Sequence, residues 1–383
     1  ALEIDRGLLS HNQAIGLPDV VMDFYPGYEF QGVALGGGVS NLGTVDVVGT
    51  TFRANKAIGA NGAVGPLFSN MGTPTYPGLG VGGGLHNINL ATIDRSRFQS
   101  NEALGGDANQ GSYAGVGNGG GVYNDGTLLV SRGTFHDNLA AGGHGNAGDI
   151  VIGGGVGGGI ASGSVTAVGG LRSASLTVER SSVRGNEAVG GDDSLSPPGL
   201  PPALSANTGA GGGIFVYQGS ADISHTMITH NRAVGGPGGV ANGGGVFFFG
   251  FIGAVEAELD HSIVAHNAAI GGPDGAGFGG GISAGSFGSP LGAGTTLTVN
   301  RSLVKHNLAR GGANGDGLGG GIFNDEGSNL ELAHSLVFAN RAIGGPGGDG
   351  FGGGVYNLGD VQQIRARIFA NFASTDGDDF YEA

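Results

Sequence analysis

Two short signatures alternate along this chain, and their alternation restricts the fold more than any other feature. The first is apolar-x-x-Asn-x-Ala, built on Asn12, Asn55, Asn101, Asn138, Asn186, Asn231, Asn267, Asn307, Asn340 and Asn371. The apolar residue three places earlier is Leu9, Phe52, Phe98, Phe135, Val183, Ile228, Val264, Val304, Val337 or Ile368. The second is Gly-Gly-Gly followed by Val, Leu or Ile, starting at Gly36, Gly82, Gly119, Gly157, Gly211, Gly243, Gly279, Gly319 and Gly352. The stretch from a Gly-Gly-Gly to the next Asn is nearly constant, apart from added residues in the 160s, 250s and 280s. The stretch from an Asn to the next Gly-Gly-Gly varies widely. A fixed part thus alternates with an insertable loop, which is the mark of a solenoid.

The fixed part reads as strands. Eight residues before each Asn stand Ile4, Val47, Ile93, Val130, Val178, Ile223, Leu259, Val299 and Leu332, with Gln363 the exception. Apolar residues recur two places earlier still. This period of two buries one face of a strand. No segment keeps a helical period, so almost no helix is expected. The fold class is all-β: a right-handed parallel β-helix of about ten coils with Gly-rich loop insertions. Each coil is expected to hold three short strands and three bends. Stacked at strand spacing, ten coils make a rod of roughly 50 Å. The repeats form one domain, 1–373, and 374–383 is an acidic tail or cap. The Asn amide suits a ladder from coil to coil, and Asn also tolerates left-handed backbone.

Composition narrows the function classes. Glycine numbers 88 without a Gly-X-Y period, which removes collagen. A net charge of −15 is a poor match to nucleic acid. Cysteine is absent, so disulfides and thiol chemistry are excluded. The longest apolar run, around Val246-Phe247-Phe248-Phe249, is too short to span a bilayer, and no transmembrane segment is expected. No secretory leader is visible at Ala1.

The Phe-x-x-Asn units (Phe52–Asn55, Phe98–Asn101, Phe135–Asn138) alternating with Gly-Gly-Gly-apolar resemble the repeats of chlamydial polymorphic membrane proteins. Those carry Phe-x-x-Asn and Gly-Gly-Ala-apolar on an autotransported β-helix. More broadly the chain resembles the pectate-lyase-like β-helix superfamily. The likeness runs from about Leu2 to Ala373. It departs in the third glycine of each triplet, in the change from Phe to Val or Ile after the fourth repeat, and in the lack of a translocator barrel. The resemblance implies an exported surface adhesin.

Several residues are candidates for binding. Six places before the Asn lies a basic column that includes Arg95, Arg132, Arg180, His225, His261, Arg301 and His334, a possible track for an acidic polysaccharide. The alternative is a solvated turn neutralised by neighbours such as Asp94, Glu179 and Asp260. Histidines directly precede Asn at His11, His230, His266 and His306 and are expected to stack on the surface. The loops Gly311–Leu318 and Gly344–Phe351 match a calcium-loop pattern, making Asp316 and Asp349 candidate metal ligands and calcium a candidate cofactor. Flexible glycine turns are the plainer reading. Aromatic inserts carrying Phe24, Tyr25, Tyr28, Phe30, Phe68 and Tyr76 are candidates for contact with another protein.

The first coil begins without its Gly-Gly-Gly strand, and an open sheet edge invites another chain or self-association at the coil ends. The expected function is therefore non-enzymatic: adhesion or assembly at the cell surface, in the periplasm or outside the cell. The alternative is a lyase or glycoside hydrolase acting on acidic glycans, which would need carboxylates clustered in a groove. Asp192-Asp193 and Asp376, Asp378 and Asp379 look like loop and tail residues.

Overall fold

A computed structural model describes residues 1–22, 29–67, 74–163, 174–195, 206–250, 253–285 and 293–383. The chain is a parallel β-helix. Strands recur on five faces, and each strand pairs with its copies in the coils above and below. In the second coil, face 1 is Thr44–Val48, face 2 Thr51–Arg53 and face 3 Lys56–Ile58; face 4, Gly80–Val81, and face 5, Leu85–Asn87, lead on to the third. Faces 1, 2, 3 and 5 have ten strands each, and face 4 has nine. Register is kept residue by residue, as in Val47 beside Ile93 beside Val130 beside Val178. The expected three strands per coil are thus five. The glycine triplet joins faces 4 and 5, and the two-residue strands of face 4 are too short to show a period in sequence.

The reason for the glycines is steric. The first glycine of each triplet has φ between 59° and 69°, the left-handed region that suits a residue without Cβ. The second approaches face 3 backbone and the matching glycine of the next coil, and the third approaches the matching glycine of the next coil and side chains of the core. A Cβ on Gly83 would lie 2.4 Å from the carbonyl oxygens of both Glu102 and Gly120. One on Gly84 would meet the Gly121 oxygen at 2.6 Å and Phe98 at 2.9 Å. The same narrowness explains the alanine column of face 3, where Ala57, Ala103, Ala140 and Ala188 are fully buried.

The central core draws aliphatic and Phe side chains from faces 1, 2 and 5. Polar ladders run beside it. The amide ladder is continuous: Asn55 Nδ2 donates to Asn101 Oδ1 at 2.9 Å, Asn101 to Asn138 at 3.0 Å and Asn138 to Asn186 at 2.8 Å, and the row goes on to Asn371. Each inner Nδ2 also donates to a carbonyl of the preceding coil, as Asn101 does to Phe52 O. These buried amides are therefore saturated. The left-handed residue of this bend is the one before the Asn, not the Asn itself: His11, Ala54, Ser100, Asp137, Gly185, His230 and their successors have φ of 52° to 65°. The Asn is left free to point inward.

A hydroxyl ladder lies at the preceding bend, where backbone N–H groups of Ser181, Thr226, Ser262 and Ser302 donate to Thr226 Oγ1, Ser262 Oγ, Ser302 Oγ and Ser335 Oγ. A second amide ladder starts on face 5 as Asn41, Asn87 and Asn124, ends on Ser162 Oγ and resumes at Asn324–Asn357. Val216, Phe248 and Ala284 fill the gap in register.

The connections from face 3 to face 4 fold back over faces 4 and 5. A second apolar cluster fills that layer, with Tyr76, Leu79, Tyr113, Val116, Val151 and Val240 from the connections packed on Val156, Phe215, Tyr217, Phe247, Phe249 and Phe278. Faces 4 and 5 are therefore buried on both sides. This accounts for continuous apolar strands such as Ile214–Tyr217 and Val246–Phe249, whereas face 1 alternates. Within the connections, Val21–Met22 pairs with Glu29–Gln31, the one antiparallel pair among the described strands.

Residues 374–383 continue the fold. Phe380–Glu382 forms the last strand of face 5, parallel to Val355–Asn357. No helix among the described residues is long and apolar enough to cross a membrane.

Candidate functional site

The outer surface of face 1 is a regular polar surface. Its inward residues are apolar, so the residues between them point out. In the fifth to tenth coils one outward column is Ser175, Ser220, Glu256, Thr296, Asn329 and Asp360, and the next is Thr177, Asp222, Glu258, Thr298, Glu331 and Gln362. Asp222, Glu256, Glu258 and Asp360 are exposed. Two shallow depressions lie along these columns. One, about 350 Å³, is lined by Asp222, Glu256, Glu258, Thr296 and Thr298; the other, about 330 Å³, by Thr298, Glu331 and Asp360. Sequence reasoning passed over these residues, although their place between two inward apolar positions was the signal for them.

The predicted basic column forms the corner between faces 1 and 2. Arg95, Arg132, Arg180, His225, His261, Arg301 and His334 all have left-handed backbone, with φ from 44° to 54°, and all are exposed. For residues with a Cβ this conformation costs about 1–2 kcal/mol each. The bend offsets that cost through inter-coil bonds such as Arg95 N–H to Ser131 O. Part of the column is neutralised by the acids of face 1. Arg95 lies 2.9 Å from Asp94, Arg132 2.7 Å from the same carboxylate and Arg180 3.0 Å from Glu179. The hydrogen bond from Arg132 holds the Asp94 carboxyl below the usual carboxylate range. His261 Nδ1 lies 2.7 Å from Asp260, which also accepts from Asn300 Nδ2, and His261 stacks on His225 at 5.0 Å. Arg301 and His334 have no carboxylate partner among the described residues.

The second corner carries the stacked histidines. His230, His266 and His306 lie 5.0 and 4.9 Å apart, ring on ring. Partial desolvation, then the nearby His266, lowers the affinity of His230 and of His306 for a proton.

Asp316 and Asp349 sit on adjacent coils, as their spacing implied. The Asp349 N–H donates to Asp316 Oδ1 at 2.8 Å, and Asp349 Oδ1 accepts from Thr375 Oγ1 at 3.0 Å. The glycines of these loops have their own reason. A Cβ on Gly312 would lie 1.8 Å from Gly272 O, and one on Gly348 2.1 Å from Gly315 O. Among the described residues no three His, Cys, Asp or Glu side chains gather where they could hold a metal ion.

The aromatic inserts need a correction. Phe30 and Tyr76 are 3% and 0% exposed and stack at 4.6 Å, with Tyr113 continuing the pile at 4.9 Å. They belong to the chain's own second layer, not to a surface for a partner. Phe24, Tyr25, Tyr28 and Phe68 lie outside the described residues, as do the prolines at 197, 198, 201 and 202.

The fold and these columns define a parallel β-helical solenoid whose exposed side chains are repeated along its length. No protein family, curated protein or solved structure matches the chain.

Proposed function

We propose that this chain is a non-enzymatic, exported β-helical rod that works in adhesion or in assembly at the cell surface or outside the cell. The observation that supports it most is the outer surface of face 1. Exposed Ser, Thr, Asp and Glu side chains recur there from coil to coil, an arrangement suited to lateral contact with an extended partner. The corner histidines and arginines extend the same repeated display. Electron microscopy of native material, paired with light scattering of the purified chain, tests the assembly reading. Filaments or a defined complex are expected, and discrete monomeric rods would sink it.

A second reading has one observation in its favour. Asp222, Glu256 and Glu258 share a depression, as a glycan-processing site would require. Release of reducing ends from polygalacturonate, abolished by Glu258→Gln, would support a lyase or hydrolase over the rod.

A further inference from the structure

Ion pairing of the cations is uneven along the chain. In the first six coils Arg6, Lys56, Arg95, Arg132, Arg180 and Arg232 each lie within 4 Å of a carboxylate, while Arg53, Arg97 and Arg184 have no such partner among the described residues. In the last three coils none of Arg301, Lys305, Arg310, Arg341, Arg365 and Arg367 has a carboxylate partner among the described residues, and all but the half-buried Lys305 are exposed. Aromatic rings stand where carboxylates would. Lys305 Nζ is 5.9 Å from the ring centre of Phe338, Arg341 is 5.7 Å from Phe372 and Arg367 is 5.1 Å from Phe369. A ring holds a cation in place but leaves its charge and N–H donors free.

These side chains share the outer surface of faces 2 and 3. Register places Lys305 beside Phe338 beside Phe369, and Leu303 beside Leu336 beside Arg367. The apolar column runs back through Ile263 to Met227, and Phe372 lies next to Arg341. Met227 and Phe372 are 51% and 47% exposed. The segments 301–312, 334–345 and 365–374 contain no Asp or Glu. Among the carboxylates of these coils, Glu331 and Asp360 lie on face 1, and Asp316 and Asp349 in the loops. Asp378 and Asp379 are turned onto Ala373 N and the Asn371 amide.

We propose that this surface docks the rod onto an anionic lipid bilayer. Uncompensated cations on a chain of net charge −15 call for an anionic partner. The exposed Met227 and Phe372, with the half-buried Leu303, Leu336, Phe338 and Phe369 between them, favour one with an apolar layer beneath its charges, which a lipid surface has and a soluble polysaccharide lacks. The proposal deepens the reading of the chain as an exported rod by naming a surface it lies on. Vesicle binding and filament formation are measured separately, so either can fail alone.

The test is flotation of the full chain with phosphatidylglycerol/phosphatidylcholine vesicles and with phosphatidylcholine vesicles alone. Binding is expected only to the anionic vesicles, weakening with salt. Lys305→Gln/Arg341→Gln/Arg367→Gln should weaken it about tenfold or more, while the ion-paired set Arg95→Gln/Arg132→Gln/Arg180→Gln should leave it within about twofold. Phe372→Ser should weaken it with the circular dichroism spectrum and melting unchanged. No flotation of the unaltered chain at low salt, or equal losses from both triple variants, would overturn the proposal. So would polygalacturonate or single-stranded DNA binding at least as tightly and indifferently to Phe372→Ser.

Discussion

Asp379 occupies the place of an eleventh asparagine: its Oδ1 accepts both the backbone N–H and Nδ2 of Asn371, each at 3.0 Å. The Asn ladder thus ends on a carboxylate that can only accept, at the point where only an acceptor is needed. Asp379→Asn should therefore keep the last coil folded, because Oδ1 is retained. Asp379→Ala leaves the Asn371 N–H without its acceptor, while Nδ2 keeps Val337 O and Phe369 O, and should cost roughly 1–3 kcal/mol. Hydrogen exchange at Asn371 and Ala373 separates the two variants, and equal protection in both would refute the capping role.

Within the ladder the cost is larger. Asn186 Oδ1 accepts from the N–H and Nδ2 of Asn138, and its own Nδ2 donates to Phe135 O. Asn186→Ala strands three buried groups and should destabilise the fold by roughly 3–5 kcal/mol. Thermal or denaturant unfolding measures this. A loss near that of an exposed substitution would show that water repairs the gap.

The glycines are not equivalent. Gly83→Ala puts a methyl against two carbonyl oxygens and should cost at least about 3 kcal/mol. Gly43 has nothing within 4 Å of its ideal Cβ, so Gly43→Ala should be neutral or stabilise by up to about 1 kcal/mol. Similar melting temperatures for the two would contradict the close-approach explanation of the triplets.

One buried histidine predicts a pH dependence. His86 is 4% exposed, hydrogen-bonded to Ser40 Oγ at 3.0 Å and stacked on Tyr123 at 5.5 Å. Burial lowers its pKa from 6.5 to about 4, so the folded state resists a proton that the unfolded state accepts. Stability should be full above pH 6.5, fall as the pH drops towards about 4 and level off below, by roughly 3 kcal/mol in all. His86→Phe should remove this part of the pH dependence. Denaturant midpoints across the range for both chains provide the check.

The ten coils, the inward apolar columns and the Asn ladder were legible because each leaves one residue type at one place in every repeat. The second amide ladder was not, since Ser162, Val216, Phe248 and Ala284 interrupt its column. The basic corner was legible as a column, but its partners were not. The adjacent acids neutralise it at Arg95, Arg132 and Arg180 and leave it free at Arg301. Phe30 and Tyr76 misled because an aromatic residue in a long insert looks the same in sequence whether it faces solvent or the next insert.

Sequence alone determined the coil, because strand pairing in register places like residues over like, and steric or hydrogen-bond demands repeated ten times leave a readable period. Tertiary structure alone decided what covers what. The connections lie on faces 4 and 5, faces 1, 2 and 3 stay open, and carboxylates or rings stand beside particular cations. Those outcomes depend on how inserts of unequal length stack across neighbouring coils, an interaction between segments that no single repeat encodes.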